Sequence, residues 1–377
     1  MPALSERQPF LVVSASGRAL ARSAHRQGIA VVVLDLFNDV DTRAIALASR
    51  VCAGRDGRFH RARVVNAVRE LAPAGGYAGL VYGSGLEGRP ALLQALASQC
   101  ALLGNSVGTV ASAKDPEFFF PLLDRLEIAH PDVRMAAPNN PQGWLVKRVG
   151  GAGGAHVRPA HLGWPRGGSR YFQRFQPGRV MSALFIADGA RAHLIGLNEQ
   201  WQAMLSRTVR FAYAGAVTVD DVPEAVQATT SRAVARLTQS LGLRGLNGLD
   251  FILEGGTPYI LELNPRPTAT LDLYDEAVPG GLFVQHLHAC AGRLEMGAIP
   301  QSEARAHAIV FATAPWRVPA AFDWPGWVTD IPAGGSVIAA GAPICSVHAH
   351  AASTRAAREL VLGRRGQMQA RASLRVA

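Results

Sequence analysis

The stretch from Gly245 to Pro267, GLNGLDFILEGGTPYILELNPRP, limits what this chain can fold into more than any other part of it. Two apolar runs, Leu249–Leu253 and Tyr259–Leu263, flank the turn cluster Glu254, Gly255, Gly256, Thr257 and Pro258. Runs of that kind joined by a short glycine-containing loop predict a β-hairpin. If Leu253 pairs with Tyr259, Asp250 lies directly opposite Glu262. Side chains alternate between faces, so Phe251, Leu253, Leu261 and Leu263 are expected in a core, with Asp250, Glu262 and Asn264 on the other face. Carboxylates opposed across a ladder sit about 5 Å apart and repel. The chain tolerates them when one is protonated or a cation lies between them. Two carboxylates and an amide oxygen are hard ligands in an incomplete set, which suits Mg²⁺ shared with a phosphate. A surface hairpin with solvated acids fits the same pattern, so the choice turns on context.

The context is lysine. Of 38 lysines and arginines only two are lysines, Lys114 and Lys147. A chain that uses arginine almost everywhere else keeps lysine where a compact ammonium must reach a phosphate oxygen. Lys147 ends the apolar run Trp144–Val146 and is followed by Gly150, Gly151, Ala152, Gly153 and Gly154. A strand, a lysine and a glycine-rich loop describe a phosphate cradle, because glycine lets backbone N–H groups approach an anion. This is not a Walker A loop: GxxxxGK[ST] is absent and the lysine precedes the glycines.

Four pieces follow one another in order: Lys114 ahead of a predicted helix, Lys147 with GGAGGAHV, YFQRFQPGRVMS, and GLDFIL…YILELNPRP. Together they resemble the ATP-grasp superfamily of ADP-forming ligases over roughly residues 105–291. The resemblance implies a mixed α/β and α+β fold. An N-terminal open α/β (pre-ATP-grasp) domain would span residues 1–105, a two-subdomain ATP-grasp core 106–298, and a small β-rich domain 299–377. It also implies site roles. Lys114, Lys147, Gly150, Gly151, Gly153 and Gly154 would surround the phosphates of ATP. Gln173, Arg174 and Phe175 would run beside the adenine, with Ser182 a further nucleotide contact. Asp250, Glu262 and Asn264 would hold one or two Mg²⁺ ions, or Mn²⁺ in their place. Arg266 would act with Lys147 in catalysis, holding the γ-phosphate or a substrate carboxylate. Where the family often carries acids that hold the ribose, this chain has Arg174 and Val180. GSGLE (residues 83–87) and NPRPT (264–268) look most like the carboligase-like branch that includes tyramine–glutamate ligases of methanofuran synthesis.

Other classes fit less well. At 377 residues two or three domains are expected. The net charge of +10 raises nucleic acid as a partner, but the arginines are scattered with no basic run and few interleaved aromatics. Cys52, Cys100, Cys290 and Cys345 form no CxxC pair and read as buried thiols of a reducing cytosol. The short run Phe10–Val13 lacks the length and flanks of a signal peptide, and no apolar run long enough to span a membrane follows. A cytoplasmic protein is expected, with small carboxylate and amine substrates, no nucleic acid or membrane partner, and a homodimer compatible with the resemblance.

Along the chain, Phe10–Ser14 and Ile29–Leu36 read as strands around a helix. Ser14-Ala15-Ser16-Gly17 lacks the GxGxxG of a dinucleotide site. Gly79–Tyr82 is a further strand, whose following loop offers Ser84 or Glu87 to a substrate, and Pro90–Ala101 a helix. Asp115 and Pro116 begin a helix that Pro121 interrupts awkwardly. Glu199 is a candidate polar group near the nucleotide, and Asp272, Asp275 and Glu276 are candidates for a rim receiving an amine. His286, His288, His348 and His350 lack partners at zinc-ligand spacing. Short strands after residue 300 precede a helix at Ser353–Leu362 and a basic tail. The expected activity is activation of a carboxylate as an acylphosphate and its coupling to an amine, possible in the synthesis of a one-carbon-carrying cofactor. The competing expectation is an ATP-binding regulatory or scaffold protein that makes no bond.

Overall fold

The computed structural model describes residues 8–164, 168–297, 299 and 303–373. The N-terminal part alternates strands and helices: β1 (Phe10–Val13), α1 (Arg18–His25), β2 (Val31–Asp35), α2 (Val40–Ile45), β3 (Ala48–Val51), α3 (Arg61–Glu70), β4 (Gly79–Tyr82), α4 (Pro90–Ala97) and β5 (Leu102–Leu103). The strands form one parallel sheet in the order β3-β2-β1-β4-β5. β1, β2 and β4 are near-continuous apolar runs because helices cover both faces of the sheet. The order reverses between β1 and β4, so the loops Ser14–Gly17 and Gly83–Arg89 leave the sheet side by side, where ligands bind in open α/β sheets.

Two short helices follow, α5 (Val107–Lys114) and α6 (Pro116–Arg125). The Asp115 side chain caps α6 by accepting from the Glu117 N–H at 3.0 Å. Pro121 does not break α6; it sits on the exposed side, where water serves the carbonyl that loses its donor. A small antiparallel leaf comes next: β6 (Val133–Arg134), β7 (Trp144–Arg148), β8 (Arg158–Pro159) and β9 (Arg170–Arg174), ordered β6-β9-β7-β8.

The third layer is a large antiparallel sheet. Its members are β10 (Arg179–Asp188), β11 (Ala192–Ala203), β12 (Ala212–Thr218), β13 (Arg244–Glu254) and β14 (Thr257–Asn264), with α7 (Glu224–Leu241) packed beneath. Phe251, Ile260 and Leu263 of the hairpin meet Val226, Val234 and Leu237 of α7 in one core. After α8 (Leu271–Tyr274) and α9 (Gly281–Cys290), the chain returns to the same sheet through β15 (Ala304–Phe311). β16 (Trp316–Arg317) and β18 (Val337–Ile338) pair with each other, while β17 (Val328–Thr329) and β19 (Pro343–Ala351) extend the large sheet. Its order is β14-β13-β10-β11-β12-β15-β19-β17, so the C-terminal strands continue the core sheet through the β12–β15 pairing. The final helix α10 (Thr354–Ser373) runs far beyond Leu362, and the expected basic tail is helical there because Val361, Met368 and Ala372 pack on the last core.

Three acids expected on an amine-receiving rim serve the fold instead. Arg18, Arg22 and Arg26 lie one helical turn apart on α1 and pair with Asp272, Glu276 and Asp275 respectively. The ladder docks the N-terminal part on the segment that follows the hairpin.

Candidate active site

The hairpin turns through only two residues. Glu254 faces Thr257, and Gly255 and Gly256 take φ of +55° and +83°, which only a primed turn with glycines accommodates easily. Leu253 therefore faces Pro258, not Tyr259. A bulge between Asp250 and Phe251 absorbs the one-residue slip and restores Asp250 opposite Glu262. The extra residue is Leu261, which leaves the expected core position to Ile260 and joins the wall of a cavity of about 440 Å³.

Asp250, Glu262 and Asn264 all line this cavity. Asn264 Nδ2 donates to Asp250 Oδ2 at 2.8 Å, and Gln200 Nε2 donates to Asp250 Oδ1 at 3.1 Å. Lys114 Nζ donates to Asn264 Oδ1 at 3.0 Å and lies 3.5 Å from Glu262 Oε2. Burial, and then the charge on Glu262, lift the Asp250 carboxyl to about 7. Burial works against the Glu262 charge too, but Lys114 and Lys147 outweigh it and hold Glu262 at about 2. Burial and the neighbouring charge thus disfavour ionising both carboxyls at once, a penalty that a cation would relieve. That donor chemistry fits a divalent ion, and two carboxylates with one amide leave room for phosphate oxygens. Among the described residues no group of three or more His, Cys, Asp and Glu side chains could hold a metal by itself.

The two lysines reach this pair from different sides, Lys114 from the end of α5 and Lys147 from β7. Lys147 is 6% exposed and lines the cavity without a hydrogen bond or ion pair among the described residues. Burial lowers its pKa, with Glu262 and Asp250 opposing the shift. Of the loop glycines, Gly153 and Gly154 line the cavity, whereas Gly150 and Gly151 turn toward Lys114 and Glu262. Gly154, at φ +73°, passes so close to β12 that a Cβ there would lie 1.8 Å from the Phe211 carbonyl oxygen. Gly151 covers the ring of His156, a group the sequence reading passed over; burial lowers that imidazole to about 4 and its Nδ1 has no partner.

Beyond the lysines the cavity becomes apolar, walled by Leu145, Val157, Ile252 and Leu261. Gln173 is fully buried in this wall, with neither Oε1 nor Nε2 hydrogen-bonded. Arg174 and Phe175 form its mouth. The Phe175 N–H donates to the Gly143 carbonyl at 2.8 Å, so that donor is already engaged, and its ring is half exposed. Ser182 lies further from the cavity. It pairs across the sheet with Asp250 but lies covered, accepting from Asn198 Nδ2 at 3.4 Å, away from the cavity wall. Glu199 also points away, to Arg179 and Arg358; strand alternation gives the cavity its neighbours Gln200 and Gln202 instead. Only the choice of parity along β11 separated the two, and the sequence did not mark it.

At the far end, Arg266 enters the wall already held. Its Nε donates to Glu87 Oε1, while Gly85 N–H donates to Glu87 Oε2 at 2.7 Å. Burial opposes the Glu87 charge, but Arg266 and then Lys114 hold it below the usual carboxylate range. Glu87 therefore orients Arg266, and Ser84 of the same loop is the residue that lines the cavity.

Residues 114–270, from the first lysine past the hairpin, match the family model of the ATP-grasp domain. The chain carries an ATP-grasp domain. No curated protein matches the sequence significantly. Solved structures share the whole architecture at low identity. A biotin carboxylase from Campylobacter jejuni, solved as a β,γ-ATP complex, superposes with a TM-score of 0.71 at 13% identity, covering 95% of this chain and 91% of its own. An L-amino acid ligase from Bacillus licheniformis gives 0.69 at 13%, covering 95% and 97%. An N5-carboxyaminoimidazole ribonucleotide synthetase from Thermus thermophilus gives 0.68 at 15%, covering 93% and 96%. The shared fold is the three-part ATP-grasp architecture: a parallel α/β sheet, then the antiparallel sheets that enclose the cavity. No described helix is long and apolar enough to cross a membrane.

Proposed function

We propose that this ATP-grasp protein is an ADP-forming ligase that activates a carboxylate with Mg-ATP as an acylphosphate and couples it to an amine. We divide it into a substrate domain at residues 1–105, the nucleotide domain at 106–298 and a closing domain at 299–377. The observation that carries the reading is the opposed carboxylate pair Asp250–Glu262, flanked by the only two lysines and open to an apolar slot in which the buried amide of Gln173 lacks a partner. An unsatisfied buried amide costs about 1–3 kcal/mol, which a ligand edge would recover.

In this scheme Asp250, Glu262 and Asn264 hold the divalent ion, which supplies charge neutralisation to the phosphates when bound. Lys114 and Lys147 neutralise the remaining charge, and Gly153 and Gly154 present backbone to it. Leu145, Val157, Ile252 and Leu261 enclose the base. The substrate carboxylate attacks the γ-phosphorus, the bond to the β-phosphate oxygen breaks, and ADP leaves. Arg266, fixed by Glu87, steadies the developing anion. The amine then attacks the acyl carbon, inorganic phosphate departs, and the amine proton is lost to solvent. Positioning and electrostatics supply most of such catalysis. The names of the structural neighbours, a carboxylase, a ligase and a synthetase, agree with ATP-driven bond formation. The GSGLE and NPRPT segments favour the carboligase-like branch and a product in the synthesis of a one-carbon-carrying cofactor.

Arg174 and Val180 stand where ribose-holding acids are common, which favours a second reading, an ATP-binding regulator that forms no bond. Incubation with Mg-ATP, hydroxylamine and a panel of carboxylates separates the two. A ligase releases ADP and yields a hydroxamate with its own acid. ATP binding without either product across the panel would overturn the ligase reading.

A further inference from the structure

The N-terminal domain carries a second concavity, a groove of about 1050 Å³ that runs along α3 and α4. Arg55, Arg61, Arg63, Arg69 and Arg89 line it, against the single acid Asp56. Asp56 is occupied by the Arg58 N–H at 3.1 Å. Among the described residues none of the five arginines forms an ion pair. Arg63 donates to the Ala53 carbonyl at 2.6 Å and Arg69 to Gln99 Oε1 at 3.3 Å. Other arginines, among them Arg18, Arg22, Arg26, Arg179 and Arg266, meet carboxylates. Moreover, Arg89 Nη1 is buried without any acceptor. A buried guanidinium nitrogen without an acceptor, in the lining of a groove with five arginines and one acid, suits an anionic acceptor. Arg89 occupies the N-cap of α4, and Ala95, Ser98 and Gln99 complete the lining at the other end of that helix.

The groove adjoins the cavity of the ATP-grasp domain. Gly88, the neighbour of Arg89, rests backbone to backbone on the glycine-rich loop, where a Cβ would come within 2.5 Å of the Gly150 oxygen. Arg148, just before that loop, is close enough for Arg58 to add to the lowering that its burial causes. Gly88 thus joins the groove to the glycine-rich loop, with Arg58 and Arg148 nearby.

We propose that the groove between α3 and α4 is an anion subsite, with Arg61 and Arg89 as its principal ligands, that takes a small oligoanion bearing two or more phosphate or carboxylate groups. Planar arginine forks suit such groups, and the space accommodates a molecule of nucleotide size. Two sources share this chemistry: the distal tail of the substrate, or a separate phosphorylated ligand that steadies the glycine-rich loop through Gly88. The binding itself does not depend on the ligase reading.

The test uses tripolyphosphate in calorimetry at about 0.15 M salt, on Lys147→Met protein so that the phosphate cradle does not compete. One saturable site is expected. Arg61→Met, at an exposed position, and Arg89→Met should each weaken it by about tenfold or more, while Arg355→Met on α10 leaves it unchanged. No saturable binding, or groove variants that bind like the parent, would overturn the proposal. So would an oligonucleotide that binds the groove far more tightly than tripolyphosphate does. On protein with Lys147 restored, ADP release with phosphorylated and unphosphorylated carboxylates identifies the source. A KM raised about tenfold in Arg61→Met only for the phosphorylated acid assigns the groove to the substrate's tail, and an unchanged KM assigns it to a separate ligand.

Discussion

At the scale of single residues, charge burial decides behaviour. Glu262 keeps its charge because Lys114 and Lys147 face it, and burial and then that charge raise the Asp250 carboxyl. Glu262→Gln removes that anion, and ATP turnover should fall by at least about 10²–10³ with an unchanged far-UV circular dichroism spectrum; near-normal ADP release would dismiss the metal assignment. Asp39 lies at the junction with the C-terminal strands, where burial, followed by Asp330, Asp35 and Asp41, raises its carboxyl to about 8 despite Arg18. An acid with a folded pKa above its unfolded value of about 4 stabilises only below that value, and the contribution is lost as pH rises toward 8. Asp39→Asn should therefore melt roughly 3 °C or more above the parent at pH 8, with the gap closing near pH 4. Asp272 runs the other way. Arg18, after burial is overcome, holds it at about 2, so its contribution is present above about pH 4 and lost as pH falls toward 2.

At the scale of elements, the glycine-rich loop is fixed by contact with β12. Gly153 accepts from the Tyr213 N–H at 3.0 Å, and Gly154 leaves no space for a methyl group beside Phe211. Gly154→Ala should push the loop off β12 and weaken ATP binding by about tenfold or more, read by nucleotide titration; an unchanged affinity would show that the loop needs no such anchor. The elements also mark how far the sequence could be read. Alternation and turn glycines disclosed the hairpin, and scarcity disclosed the lysines, since both signals are local. The bulge at Leu261 was hidden because an extra residue leaves composition and periodicity almost untouched. Gln200 and Glu199 are adjacent, and the arginines that claim Glu199 come from β10 and from α10, the latter far away in the chain. Asp272, Asp275 and Glu276 looked available for the same reason, their partners being on α1.

At the scale of the whole molecule, one sheet joins the nucleotide-binding strands to the C-terminal ones through Gly215–Val217 and Ala306–Ala308. A chain ending at residue 298 would strip β15 from β12 and uncover Val217. Bare edges of that kind template association, so the truncated protein should elute as aggregate in size-exclusion chromatography, whereas a well-behaved monomer that binds ATP would show the C-terminal strands to be dispensable. The opposite is true of the leaf β6–β9. It is one contiguous segment that leans on Gly88 through Gly150 and on β12 through Gly153 and Gly154. We predict that the cavity opens by a swing of this leaf that releases its contacts with Gly88 and β12, while the β12–β15 pairing is kept. A fluorophore pair spanning the leaf and β12 would change its transfer efficiency when nucleotide enters, and one placed across β12 and β15 would stay silent.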